Sequence, residues 1–385
     1  MNEWKKVKLG DCIKEVNERT TKNNQYEVLT SSKSGIYSQE EYFDKQVASK
    51  DNTGYKIIKR GQFTYRSMSD NGTFTINRLE NKDIGIVSPA YPVFEVTNIN
   101  AEYLKYFFQS EEFRKAIYNL SQGSTRTALK YKDLSNIDIL LPSIEEQEKI
   151  VKTLKKLDFI IEKYRNLLEE KDKLIKSQFT EMFEDKEFKE KTLDEISIIS
   201  GEYGSNVSAM EYDETLPRYV RITDITENGK LDQNSLASPK NETNIEKYLL
   251  QYGDILFART GATVGKTYLY DESDGICIYA GYCIRFRLNT KIVNPEYIFR
   301  YTQTRQYLKW VDIVKRGGAQ PNINSKQYGS IIIPIPPIEL QNKFEEFVKQ
   351  VDKQKLLLEQ QKQNYENLKR GLMQKLLTGK ARVKI

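Results

Sequence analysis

The 385-residue chain has no histidine, and its three cysteines, Cys12, Cys277 and Cys283, are far too few for a disulfide framework. Without histidine it lacks the commonest general base, the commonest metal ligand and the usual partner of a nucleophilic Ser or Cys. Tryptophan occurs twice and proline ten times. No apolar run approaches the roughly 18 to 20 residues of a membrane-spanning helix, and the first residues, MNEWKKVKLGDCIKEV, contain no apolar segment of signal-peptide length. These absences predict a cytoplasmic chain with reduced thiols and no membrane contact.

Charge of one sign is also in short supply. Sixty basic residues face 54 acidic ones, a net +6. The balance is +3 over residues 1–142, zero over 143–183, −2 over 184–334 and +5 over 335–385. Bulk charge does not by itself identify a nucleic-acid binder, so the location of basic residues matters more than their number.

Catalytic and cofactor motifs are missing in the same way. Gly261-Ala262-Thr263-Val264-Gly265-Lys266-Thr267 has three residues between its glycines where a P-loop needs four, and Tyr268-Leu269-Tyr270 continues as a strand rather than a phosphate-cradling helix. There is no Gly-x-Gly-x-x-Gly fingerprint and no Asn-Pro-Pro-Tyr or Asp-Pro-Pro-Tyr run. Cys277 and Cys283 have no second pair to complete a zinc site. No catalytic residue, metal or cofactor is assigned.

What the chain does have is an internal repeat. Ile139-Leu140-Leu141-Pro142-Ser143-Ile144-Glu145-Glu146-Gln147 lies over Ile333-Pro334-Ile335-Pro336-Pro337-Ile338-Glu339-Leu340-Gln341 at an offset of 194 residues. The same offset pairs Tyr103 with Tyr297, Gln109 with Gln303, Gly123 with Gly317 and Asp158 with Asp352. Towards each start it shrinks to 192, for Arg60-Gly61-Gln62-Phe63 over Tyr252-Gly253-Asp254-Ile255, and then to 184 for Leu9 over Leu193.

After each proline the pattern becomes helical, with Ser143 and Glu146 spaced as a capping box in the first copy. One apolar seam runs through Ile150, Leu154, Leu157, Ile161, Tyr164, Leu168, Ile175 and Met182. The other runs through Phe344, Val348, Val351, Leu358, Tyr365, Leu372 and Leu376, interrupted by Lys355 and Lys362, and Thr378-Gly379 supplies the stop. Steps of three and four mark a coiled coil, and each helix should be on the order of 55 Å long. The remaining segments read as mixed α+β, with short strand-like runs such as Gln62 to Tyr65 and Asp254 to Ala258 and a helix in each copy, Ala101 to Leu120 and Pro295 to Val314. The expected division is 1–142, 143–183, 184–336 and 337–385.

This order of head, long helix, head and long helix, with Pro142-Ser143-Ile144-Glu145-Glu146-Gln147 and Pro337-Ile338-Glu339-Leu340-Gln341 at the helix starts, resembles the DNA-specificity subunit of type I restriction-modification systems. The ending Leu368 to Lys380 and the segment Arg259 to Lys266 resemble that family too; the first copy departs from the latter, reading Tyr65-Arg66-Ser67-Met68-Ser69-Asp70-Asn71-Gly72. The resemblance implies two α+β target-recognition domains joined by two long antiparallel coiled-coil helices with a pseudo-two-fold relation. Each head would read one half of a split double-stranded DNA target. The partners it implies are two methyltransferase (modification) subunits and restriction/translocase subunits, which carry the chemistry while this chain positions them.

Phosphate contacts need Lys and Arg, and base edges are read by Arg, Asn, Gln and hydroxyl side chains, so loop residues of these types are the candidates. In the first head they are Lys59, Arg60, Tyr65, Arg66, Ser69, Asn71, Ser124, Arg126, Thr127 and Lys130. In the second they are Arg259, Thr260, Thr263, Lys266, Arg316, Gln320 and Asn322. A solvated loop charge is the competing reading of each, and most of the 25 tyrosines are expected to be half-buried framework residues. Glu145, Gln147, Glu339 and Gln341, with the basic tail from Lys375, are the candidate partner-docking positions. The alternative to DNA recognition is a coiled-coil scaffold joining two protein-binding heads.

Overall fold

The structure, a computed structural model, describes residues 4–42, 50–69, 72–120, 127–184, 186–315 and 321–383. The chain forms two compact units, Met1–Asn166 with Glu359–Ile385, and Leu167–Leu358. Each unit contains one head and a portion of both long helices. Among the described residues, no helix is long and apolar enough to cross a membrane.

The two heads share one frame. In the first, a four-stranded antiparallel sheet runs in the order Ile13–Glu15, Val93–Val96, Phe63–Thr64, Asn77–Arg78. In the second, Ser197–Tyr203, Cys283–Leu288, Asp254–Ala258 and Thr267–Leu269 follow the same order. A separate two-stranded ladder brings each head's beginning to its end: Lys5–Lys8 pairs with Asp138–Leu141, and Lys189–Thr192 with Ile332–Ile335. Alternation along the strands aims Phe63 and Tyr65 into the first core, beside Phe94 and Phe108, and Ile255 and Phe257 into the second, beside Phe286 and Tyr328. Outside this frame the heads diverge. The first adds an antiparallel pair, Lys56–Lys59 with Ile84–Val87, whereas the second has a parallel pair, Arg218–Val220 with Cys277–Tyr279.

The repeat holds at the level of single hydrogen bonds. Asn100 caps the helix Ala101–Gln109 by accepting from the Glu102 and Tyr103 amides, and Asn294 caps Pro295–Tyr301 by accepting from Glu296. Tyr103 donates to the Leu140 carbonyl at 3.1 Å and Tyr297 to the Pro334 carbonyl at 2.6 Å. Ser110 and Thr304 cap the next helices through the amides of Phe113 and Tyr307. One shared position has traded chemistry: Gln62 meets Glu95 at 3.3 Å in the first sheet, where the second has buried Asp254 gripped by Arg287 at 2.7 and 2.8 Å.

The long helices are Ile144–Phe183 and Ile338–Leu377, each 40 residues. Within the first unit their contacts run antiparallel: Asp158 meets Lys369 at 2.5 Å, Arg165 reaches Glu366, and Tyr164 stacks on Tyr365 at 5.6 Å. Tyr106 of the head donates to Asp158 at 2.5 Å, which ties the helix pair to that head. The second unit has its own antiparallel set, with Phe179 and Phe183 packed on Phe344 and Tyr297, and Asp172 paired with Lys355 at 2.5 Å. Lys355, an interruption in the apolar seam, is therefore used as an interhelical ion-pair partner, while Lys362 pairs along its own helix with Glu359.

The expected capping box forms only by half. The Glu146 amide donates to Ser143 Oγ at 3.4 Å, but the Glu146 carboxylate turns away to Arg382 and to the Trp4 indole N–H at 3.1 Å. Arg382 holds that carboxylate at 2.5 and 2.7 Å and lies over the Trp4 ring, so the last described residues are clasped to the start of the first long helix and to Trp4. This occupies the arginine of the tail that the sequence offered as a docking surface.

Candidate nucleic-acid interface

The two heads present corresponding loop pairs just beyond the same strand of the shared sheet. In the first, Met68–Ser69 pairs antiparallel with Thr127–Ala128, and the Leu129 amide donates to the Ser67 carbonyl at 2.9 Å. In the second, Thr260 bridges Asn322 and the Ile323 amide donates to the Arg259 carbonyl at 2.8 Å. Segments about sixty residues apart are thus brought side by side twice. The register makes Ser67, not Arg66, the positional counterpart of Arg259.

The second loop pair is held from beneath. Gly265 adopts φ +88° and packs so closely on the helix Arg305–Val314 that an added Cβ would lie 2.6 Å from Val311. Its carbonyl accepts from the Tyr307 hydroxyl at 2.8 Å and its N–H donates to the Tyr328 oxygen at 3.1 Å. Gly261 sits at φ +71° and its N–H donates to the Pro321 carbonyl at 3.2 Å. The glycines thus serve a tight loop, and the chain proceeds into the strand Thr267–Leu269.

At the tip of this loop pair the Arg259 guanidinium lies over the Tyr203 ring, 4.8 Å from its centroid, and its Nε donates to Asn322 Oδ1 at 3.4 Å. Tyr203 is fixed in turn by its hydroxyl, which accepts the Ser325 amide at 3.2 Å. Partial burial would raise the Tyr203 pKa, but the hydrogen bonding with Ser325 and the Arg259 charge outweigh it and hold it below the ordinary tyrosine value. Tyr282, 61% exposed, accepts the Arg259 amide on its carbonyl. A cation over the Tyr203 ring and two amide or hydroxyl side chains, Asn322 and Thr260, make a surface suited to phosphate, base edges or both.

The remaining candidates divide. Thr263 donates to the Thr260 carbonyl at 3.3 Å, inside the loop. Lys266 is turned to Glu227 at 2.7 Å. Arg66 and Lys130 are exposed on the first loop pair, and Ser69 lies opposite Thr127 in its ladder. Lys59 and Arg60 are not brought to this surface. They occupy the turn at the other end of the strand, where Lys59 pairs with Glu18 at 2.7 Å and Arg60 with Asp83 at 2.8 Å. Tyr65 must be corrected: it is fully buried, T-stacked on Phe94, because it shares the inward face of the strand with Phe63. Asn71, Ser124, Arg126, Arg316 and Gln320 lie outside the described residues, as does the side chain of Thr127.

Gln147 and Gln341 also need correction as docking residues. Both are fully buried. Gln147 accepts the Asn100 amide at 2.8 Å and donates to the Pro142 carbonyl at 2.9 Å; Gln341 does the same with Asn294 and Pro336, at 2.8 and 2.7 Å. Each glutamine fastens a long helix to its head from within. Glu145 and Glu339 remain exposed.

Sequence reasoning missed Tyr203 and Tyr282. Nothing local marks either among 25 tyrosines: Tyr203 comes to Arg259 through sheet pairing with distant strands, and Tyr282 adjoins it through the backbone alone.

Two solved structures share this architecture across nearly the whole chain. One is a chain from a structure described as the basis of complex assembly and conformational transition of the type I R-M system, with a TM-score of 0.58, 16% identity and 98% of each chain covered. The other is the type I restriction-modification S subunit from M. genitalium, with a TM-score of 0.50, 15% identity, and 97% of this chain and 96% of that one covered. The family described as Type I restriction modification DNA specificity domain matches residues 1–170 and again 185–366. The chain belongs to that family. Curated relatives include the type I restriction enzyme MjaVIII specificity subunit of Methanocaldococcus jannaschii, 25% identical over 78% of this chain and 75% of its own length. The EcoKI specificity subunit of Escherichia coli K12 is 24% identical over 67% of this chain and 58% of its own.

Proposed function

We propose that the chain is the sequence-reading subunit of a type I restriction-modification complex and carries no catalytic activity of its own. Residues 1–142 and 184–336 act as recognition domains, each taking one half of a split duplex target. Residues 143–183 and 337–385 form the spacer that fixes the distance between the halves. Adenine methylation and DNA cleavage belong to the partner subunits, of which two are methyltransferases and others are restriction/translocase subunits. Glu145 and Glu339, exposed at equivalent helix starts, are the docking positions retained from the sequence reading.

The observation that carries this reading is the duplicated loop pair: one frame, repeated hydrogen bond by hydrogen bond, presents a different set of side chains at the same place in each head. A constant scaffold with variable tips suits two unlike half-sites. Base contacts supply the discrimination, while Lys and Arg on phosphates supply most of the affinity.

The test is selection from a randomised duplex pool by the complex assembled with its methyltransferase subunits. The expected product is a two-block motif with a fixed, unread gap, bound with an affinity that falls steeply with salt. Absence of salt-sensitive binding by the assembled complex would favour a coiled-coil scaffold instead.

A further inference from the structure

Arg259 is held by two neighbours: its guanidinium lies over the Tyr203 ring, and its Nε donates to Asn322. Among the described residues its two terminal amino groups meet no carboxylate, although carboxylates partner the neighbouring cations of the same head, Lys266, Arg285 and Arg287. A guanidinium over a ring whose two amino groups, among the described residues, meet no carboxylate is a two-pronged donor for a pair of acceptors in one plane.

Among the described residues, the first head shows no such device. At the positions matched by its own ladder, Ser67 replaces Arg259, Met68 replaces Thr260 and Ala128 replaces Asn322. A residue needed only to build the shared frame would be expected in both copies. At these matched positions the arginine and its amide occur in the second copy and not in the first.

We propose that Tyr203 is a positioning residue that preorganises Arg259 as a bidentate donor to DNA at the second half-site. The inference rests on the DNA-reading function above. Two acceptor pairs fit the same fork: the O6 and N7 edge of a guanine, or two oxygens of one phosphate. Stacking on Tyr203 removes most of the rotamer freedom that a long arginine would otherwise lose on binding. The phenol ring, rather than the hydroxyl, performs that task, while the hydroxyl's bond to Ser325 keeps the ring in place.

The experiment uses the chain assembled with its methyltransferase subunits and duplexes carrying single-base changes in either half-site. The variants are Arg259→Ala, Arg259→Lys, Tyr203→Ala and Tyr203→Phe. Arg259→Ala should lose about 10- to 100-fold in binding. If the acceptor is guanine, that loss appears as relaxed discrimination at one G·C pair of the second half-site. If it is phosphate, affinity falls evenly over all sequences and the salt slope decreases by about one. Arg259→Lys should keep the charge yet lose the fork, behaving closer to alanine than to wild type. Tyr203→Ala should reproduce the same pattern in weaker form, and Tyr203→Phe, which keeps the ring and loses only the Ser325 bond, should lie closer to wild type than to alanine. Discrimination within the first half-site and the thermal unfolding of Arg259→Lys should remain unchanged.

Wild-type binding by Tyr203→Ala alongside impaired Arg259→Ala would overturn the positioning role. Wild-type binding by Arg259→Ala would overturn the contact itself, as would relaxed reading of the first half-site. None of these results would touch the function assigned above, which fails only if the wild-type complex selects no split motif.

Discussion

Gln147 and Gln341 show how a polar side chain can be mistaken for surface when only its spacing is visible. Each is the fourth residue of its long helix, and each spends its amide on one backbone donor and one backbone acceptor inside the protein. Gln341→Ala would strand the Asn294 amide and the Pro336 carbonyl, costing about 1–3 kcal/mol. Thermal unfolding should register that loss directly; a variant that weakens subunit assembly while unfolding normally would return Gln341 to the docking surface. Gly265→Ala should also destabilise, because the added methyl meets Val311 at 2.6 Å and the φ of +88° disfavours a side chain. The combined penalty is about 1–3 kcal/mol, measured by denaturant unfolding. At the clasp, the Arg382 guanidinium holds the Glu146 carboxyl below its ordinary value of 4.5, against the effect of burial and with help from the Trp4 N–H. Because folding lowers this pKa, the stabilisation is complete above the ordinary value and disappears as pH falls through the folded one. Arg382→Ala should therefore unfold more readily at neutral pH and lose part of its dependence on acid, seen in thermal unfolding repeated at successively lower pH.

Elements were the most legible level of the sequence. The 194-residue offset and the three-and-four apolar spacing gave the two long helices and the repeat that contains them, since burying a seam every few residues leaves a periodic trace. Less visible were the links made across distance. Tyr203 reaches Arg259 through neighbouring strands, and Glu146 finds Arg382 at the far end of the chain, so neither pair leaves a local pattern. Tyr65 closes the strand-like run Gln62 to Tyr65, and its alternation with Phe63 turns it inward, which its place beside the Arg66 to Gly72 loop does not reveal. On the helices, Lys355 looked like a defect in the seam until its Asp172 partner was visible. Removing one heptad from each helix keeps the seam in phase while shortening it by about 10 Å, or roughly three base pairs of DNA. The assembled complex should then prefer a shorter gap between unchanged half-sites, measured on duplexes of graded spacing; altered half-sites with an unchanged gap would remove the helices from the role of spacer.

For the whole molecule, a net charge of +6 said little because many cations pair with carboxylates of the same chain, as Lys59, Arg60, Lys266 and Arg287 illustrate. The most direct test is to map modified adenines in cells that carry this chain with its methyltransferase subunits. The same map is then repeated after residues 186–335 are replaced by the matching segment of another specificity subunit. Two separated blocks, of which the exchange alters one and leaves the other with its spacing intact, is the predicted result. A continuous motif, or a change in both blocks on exchanging one head, would contradict the account.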